Sequence, residues 1–232
     1  MFNLKFLYKT FWKALCGIPV TLEITIISLI VGIAIGVLIA LARIHRIKII
    51  NQLCVFYVSF VRGTPVVIQI LLVYSLVPSV LNVIFQSFKV DIKVFEVNPI
   101  WYALLVFSLN MSAHFSEVFR SALLTVNSGQ KEAALTIGLT TFQAYKRIIL
   151  PQAYAVALPQ ICNATVGLIK NTSLAFLMGI KDITAVASIE ASYGYNYIEA
   201  YLDIFFIYII ICLLIQKIFS ELEKKASIYR RK

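Results

Sequence analysis

Charge is what this sequence has least of. Asp, Glu, Lys and Arg together make up 14% of its 232 residues, against about 25% in an average soluble domain. Acidic residues are the scarcer half, 11 against 21 basic ones, which leaves a formal net charge of +10. With 60% of residues hydrophobic, there is too little polar surface to cover a water-soluble fold of this size. Intrinsic disorder is excluded too, because it needs low hydrophobicity. Cysteine is sparse. Cys16, Cys54, Cys162 and Cys212 form no C-x-x-C pair, suit neither a zinc site nor a disulfide framework, and read as small hydrophobes. There are two histidines, His45 and His114, and no H-E-x-x-H, so a metal-dependent membrane hydrolase has no ligand set. No GxxxxGK[ST] occurs, so the chain carries no P-loop. The first 18 residues mix Lys5, Lys9 and Lys13 with aromatics and lack the apolar core of a cleavable leader. No segment is long enough to fold alone in water, and there is no internal repeat. What remains is an all-α, polytopic integral membrane protein of one domain.

Long uncharged runs are what the sequence has instead. Residues 24–42 are rich in Ile, Leu, Val and Ala and match the roughly 20 apolar residues that cross a bilayer core. Gly32 and Gly36 within them form a GxxxG, which either admits a second helix at close range or reflects ordinary glycine usage. A second span lies in 49–88. It begins either near Cys54, with Arg62 inside it, or near Pro65, with 49–61 at the interface; Gly63 and Pro65 interrupt the helix there. The third run, 97–116, turns polar in its second half at Asn110, Ser112, His114 and Ser116. Glu117 and Arg120 follow at i,i+3 spacing and can pair. A fourth span is expected from about Ala157 to Ile180, with Lys170 well inside. The fifth runs from about Tyr201 to Phe219, with Asp203 and Lys217 snorkelling outward and Tyr193, Tyr195, Tyr197 and Tyr201 at an interface belt. Residues 221–232 form a charged tail.

Five spans put the termini on opposite sides. Twelve of the 21 basic residues fall in 43–52, 125–154 and 217–232, which share one side. The positive-inside rule makes that side cytoplasmic, with the C-terminus inside and the N-terminus outside. Lys5, Lys9 and Lys13 argue the other way, but they lie on one helix face with Phe6, Phe11 and Trp12 available to the bilayer. Residues 1–18 then read as an interfacial amphipathic helix.

The most water-compatible internal segment carries the sharpest pattern. It runs Glu132-Ala133-Ala134, three residues, Gly138, nine residues, Ile148, one residue, Leu150-Pro151. Small Ala133 and Ala134 allow close packing, Gly138 permits a turn, Glu132 can pair with a base or cap a helix, and Leu150-Pro151 is expected to stop a second short helix. This resembles the EAA loop of ABC importer permeases, with all seven fixed positions matched at the right spacing.

The resemblance extends over residues 19–220. Ser59-Phe60-Val61-Arg62-Gly63-Thr64-Pro65 resembles the F-R-G-T-P box of the polar-amino-acid permeases. Ser116 to Arg120 resembles their A-E-x-x-R segment, Gly129-Gln130 precedes Glu132 as in their G-Q-x-E-A-A, and Lys170 to Leu174 resembles their K-x-T-S-L. Two positions depart from the pattern: His114 stands where the family has Tyr, and Ser121-Ala122 replaces a Gly-rich pair. The resemblance implies a type I permease fold with five transmembrane helices in a bacterial cell (inner) membrane. It implies a coupling loop, 130–151, that docks a separate ATPase through Glu132, Ala133, Ala134, Gly138, Leu150 and Pro151. ATP and Mg would be held by that ATPase, with no cofactor on this chain. It also implies a second permease chain, identical or related, and an extracytoplasmic amino-acid-binding protein; nucleic acid is not a partner. The run Thr172 to Phe176 with Met178-Gly179 looks like the cystine-type branch, with arginine, histidine and glutamine open.

Intramembrane ionisable groups are costly and usually face a bundle interior or wet cavity. Arg62, Thr64, Glu117, Lys170, Asn171, Thr172 and Ser173 are therefore the candidate substrate path. The competing structural reading pairs Glu117 with Arg120 and lets Arg62 and Lys170 bind carbonyls near broken helices. A secondary carrier or channel is the rival function; it usually shows inverted repeats or a selectivity box.

Overall fold

A computed structural model describes residues 2–90 and 92–227. No strand occurs among them. Ten helices follow one another: α1 (Leu4–Ala14), α2 (Ile18–Ile44), α3 (Lys48–Gly63), α4 (Val66–Ser87), α5 (Ile100–Thr125), α6 (Ser128–Thr136), α7 (Thr141–Ala144), α8 (Leu150–Thr172), α9 (Ile183–Ser192) and α10 (Tyr197–Ala226). A π-helical stretch, Tyr145–Ile149, joins α7 to α8, and a 3-10 turn, Ser173–Met178, follows α8.

Four helical runs are long and apolar enough to cross a membrane: Leu4–Ile44, Val66–Ser87, Thr141–Met178 and Tyr197–Ala226. The third expected span, α5, has 26 residues but is not among those four. Asn110, Ser112, His114, Ser116 and Glu117 dilute its apolar run. It can afford them because α5 sits at the centre of the bundle, where Phe107, Met111, Ala113, Phe115, Ser112 and Ser116 are all buried.

α2 is packed with its small residues inward. Its buried face is Thr21, Thr25, Ser28, Gly32, Gly36 and Ala40 plus Ile24, while Ile26, Ile30 and Leu38 point out. α5 lies along that small face for most of its length. A Cβ on Gly32 would come within 2.6 Å of the Met111 Cβ, and one on Gly36 within 2.7 Å of the Phe115 Cβ. The GxxxG therefore does set a close helix approach.

The second span begins at Pro65. α3 is a separate helix that carries Arg62 in its last turn, and the chain turns extended at Thr64 and Pro65 before α4. Proline cannot supply the N–H a continuous helix would need there.

Three expectations change. Leu150-Pro151 does not stop a helix. The Leu150 N–H donates to the Tyr145 carbonyl, an i→i+5 bond that widens the turn just ahead of the proline ring, and α8 starts at Leu150 rather than near Ala157. Asp203 does not snorkel, being 1% exposed on the inner face of α10. Phe6 and Phe11 face inward, packed on a cluster containing Ile183, Ala187, Ala191, Ala200 and Ile207 from α9 and α10, which leaves Trp12 as the exposed one of the three aromatics.

That cluster anchors the N-terminal helix. The Asn3 side chain caps α1 by accepting the Phe6 N–H, and the Asn3 N–H donates to Glu199 Oε1 at 2.7 Å. Lys13 Nζ lies 2.7 Å from Glu190 Oε1 on α9. Asp182 caps α9 by accepting the Ala185 N–H at 2.8 Å and accepts the Tyr208 hydroxyl at 3.3 Å. Tyr193, Tyr195 and Tyr201 are exposed, as a belt requires. The charged tail begins as the last turns of α10, and its residues 228–232 lie outside the described residues.

Candidate functional site

A cavity of about 620 Å³ opens between the end of α3, the second half of α5 and α8. Three sets of residues line it: Arg62 from α3; Asn110, Met111, His114, Glu117, Val118, Ser121 and Ala122 from α5; and Val156, Gln160, Asn163, Ala164, Gly167, Leu168 and Asn171 from α8. On α8 the polar members recur at 160, 163 and 171, the three-to-four spacing that places residues on one helix face.

Of the expected path residues, Arg62, Glu117 and Asn171 share this cavity and the other four lie elsewhere. Lys170, about 100° further round α8, is exposed outside the lining. Thr172 is fully buried and donates to the Ile169 carbonyl at 2.6 Å, and Ser173 donates to the Lys170 carbonyl at 2.7 Å. Thr64 faces a separate apolar hollow of about 260 Å³ beside Phe60, Ile68 and Leu72. Gln160 and Asn163 were not singled out in the sequence. Their spacing from Asn171 carried the only signal, obscured by the apolar residues between them.

Glu117 is the sole carboxylate in the lining. Its Oε1 lies 2.5 Å from Arg43 Nη1, and its Oε2 accepts from Arg120 Nη2 at 2.8 Å and Nε at 3.1 Å. The i,i+3 pairing with Arg120 is present, and Arg43 from the end of α2 joins it. The Arg43 side chain is 12% exposed and that of Glu117 22%, so the triad ties α2 to α5 in a partly desolvated setting where opposite charges attract strongly. Arg62, by contrast, has no acidic partner among the described residues.

The corner that presents Arg62 is fixed by Gln69. Its Nε2 donates to the Val61 carbonyl at 2.7 Å and to Thr64 Oγ1 at 2.8 Å, and its Oε1 accepts from Asn110 Nδ2 at 3.3 Å. These bonds satisfy a carbonyl left open where α3 ends and link α4 to the cavity wall.

The segment 130–151 forms a compact hairpin at the end of the bundle where α5 finishes. Asn127 caps α6 by accepting the Gly129 N–H. α6 closes on Gly138 at φ +85°. The Leu139 N–H donates to the Ala134 carbonyl and the Gly138 N–H to the Leu135 carbonyl, the paired bonds of a glycine-terminated helix. Thr140 and Gln143 then form a reciprocal capping box for α7. Ala134 is buried, while Glu132 and Ala133 are exposed. Glu132 caps no helix and has no ion-pair partner among the described residues. Gln152 Nε2 donates to Gln130 Oε1 at 2.5 Å, fastening α6 to the base of α8. Ile137 and Phe142 at the outer tip are 76% and 73% exposed.

The family described as "Binding-protein-dependent transport system inner membrane component" matches residues 32–226. The chain is 35% identical over 222 residues to the probable amino-acid permease protein YxeN of Bacillus subtilis (strain 168), covering 96% of this chain and 94% of that one. It is 34% identical over 208 residues to the L-cystine transport system permease protein TcyL of the same organism, covering 90% and 84%. Among solved structures it is similar to a chain of an amino acid ABC transporter crystallised with histidines, with a TM-score of 0.81, 28% identity, and coverage of 97% and 99%.

Proposed function

The chain belongs to the family of binding-protein-dependent transport system inner membrane components, and from that premise we propose how it works as the permease subunit of an amino-acid ABC importer. It is not an enzyme, and ATP hydrolysis resides on a separate chain. The cavity between α3, α5 and α8 forms half of the translocation path, and a second permease chain supplies the other half. An extracytoplasmic binding protein delivers a polar amino acid, with cystine as the first substrate to try. The hairpin 130–151 docks on the ATPase, whose ATP and Mg drive the change of access. The N-terminus lies outside and the C-terminus in the cytoplasm.

One observation carries this reading: the same helix, α8, forms the amide-bearing wall of the cavity and continues without interruption into the hairpin. A hairpin whose tip is exposed and apolar needs a cover, and a motor protein seated there would act directly on the cavity wall. The test is reconstitution of the permease with its ATPase and binding protein in liposomes. ATP-dependent uptake of labelled cystine or glutamine is expected. Uptake independent of the ATPase would instead support a secondary carrier.

A further inference from the structure

The two charged side chains of the cavity lining, Glu117 and Arg62, differ in their partners. Both oxygens of Glu117 are occupied by arginines, so the lining offers no carboxylate to an incoming ligand. Arg62 carries a free positive charge at the edge of the same cavity. The other polar groups on the α8 wall are the amides Gln160, Asn163 and Asn171, each able to donate and accept hydrogen bonds.

From this we infer that the cavity takes zwitterionic amino acids with neutral polar side chains and discriminates against those with a cationic side chain. The inference rests on the amino-acid permease reading above and narrows its substrate class. A guanidinium matches the α-carboxylate of an amino acid, because charge-assisted pairs of this kind are the strong ones. The amides match an uncharged polar side chain. A second guanidinium or ammonium on the ligand would sit near Arg62 in a lining whose one carboxylate, Glu117, is already paired. Like-charge juxtaposition of that sort is how a site rejects a wrong partner. Recruiting Glu117 for the purpose would strip Arg43 or Arg120 of its partner in turn.

The experiment uses the permease co-purified with its ATPase in nanodiscs, with labelled L-glutamine and L-cystine as probes and L-arginine and L-lysine as competitors. The neutral amino acids are expected to displace one another, with arginine and lysine weaker by about tenfold or more. Asn171→Asp places a carboxylate in the lining at nearly constant volume and is expected to raise arginine binding by about tenfold relative to glutamine. Arginine competing as well as glutamine against the unmodified chain would overturn the charge selectivity and leave the transporter reading standing. An unchanged arginine-to-glutamine ratio in the well-folded Asn171→Asp protein would also overturn it. If no amino acid bound to any form, both readings would fall together.

Discussion

Gln69, four residues into α4, reaches back across the break in the chain and donates to the carbonyl of Val61 in the last turn of α3 at 2.7 Å. One side chain thus holds the corner on which Arg62 is presented. Gln69→Leu keeps the volume and removes the bonds. A buried carbonyl left without its donor costs about 1–3 kcal/mol. The variant is expected to insert in the membrane, melt several degrees lower in detergent and lose uptake. Wild-type melting and uptake together would show that the corner does not depend on Gln69.

The α2–α5 contact predicts a sharp contrast between glycines. Gly36→Ala puts a Cβ 2.7 Å from that of Phe115 and 3.1 Å from backbone atoms of α5, so the two helices must part. Overpacking of this kind costs about 1–3 kcal/mol. Gly167→Ala meets nothing within 4 Å and should hold or gain stability, by up to about 1 kcal/mol of helix propensity. Thermal unfolding of the two variants side by side checks the order.

Glu117→Gln leaves Arg43 and Arg120 without their shared carboxylate. Breaking a fully buried pair costs about 3–5 kcal/mol. The 22% exposure of Glu117 and 33% of Arg120 lowers the expectation to roughly half of that. Replacing Arg120 as well should recover part of the loss, because fewer unpaired cations remain; a double-mutant cycle on melting temperature measures it.

Gly138→Pro should uncouple transport from hydrolysis. The native φ of +85° is closed to proline, which is locked near −65°, and the N–H that closes α6 on Leu135 is lost. Glu132→Lys inverts an exposed charge on the same hairpin. For both, ATPase activity of the assembled complex should no longer respond to loaded binding protein while membrane insertion is unaffected. Normal uptake by both variants would sink the coupling assignment.

Much of this architecture was legible because membrane helices write themselves as uncharged runs. The hairpin was legible for a different reason: Gly138 and the Glu132–Pro151 spacing are local chemistry, and local chemistry survives in a linear string. What could not be read was which face of a helix meets which neighbour. Arg43 looked like a loop cation because its acidic partner, Glu117, is 74 residues away. Asp203 looked free to snorkel because the packing of α1, α8 and α9 on α10 is not visible from the sequence of α10 alone. Pro151 looked like a terminator because a π turn has no sequence signature of its own. Gln160 and Asn163 became part of a site only when α5 was laid beside them.

The π turn at Tyr145–Ile149 has a mechanical consequence. Because the helical run Thr141–Met178 continues through Pro151, α8 is a lever with the hairpin at one end and Asn171 at the other. Its 23 residues span about 35 Å, and a tilt of about 10° about its midpoint shifts each end by roughly 3 Å. That is the length of a hydrogen bond, enough to make or break contacts along the cavity wall, and Pro159 inside α8 marks the point where the rod can bend.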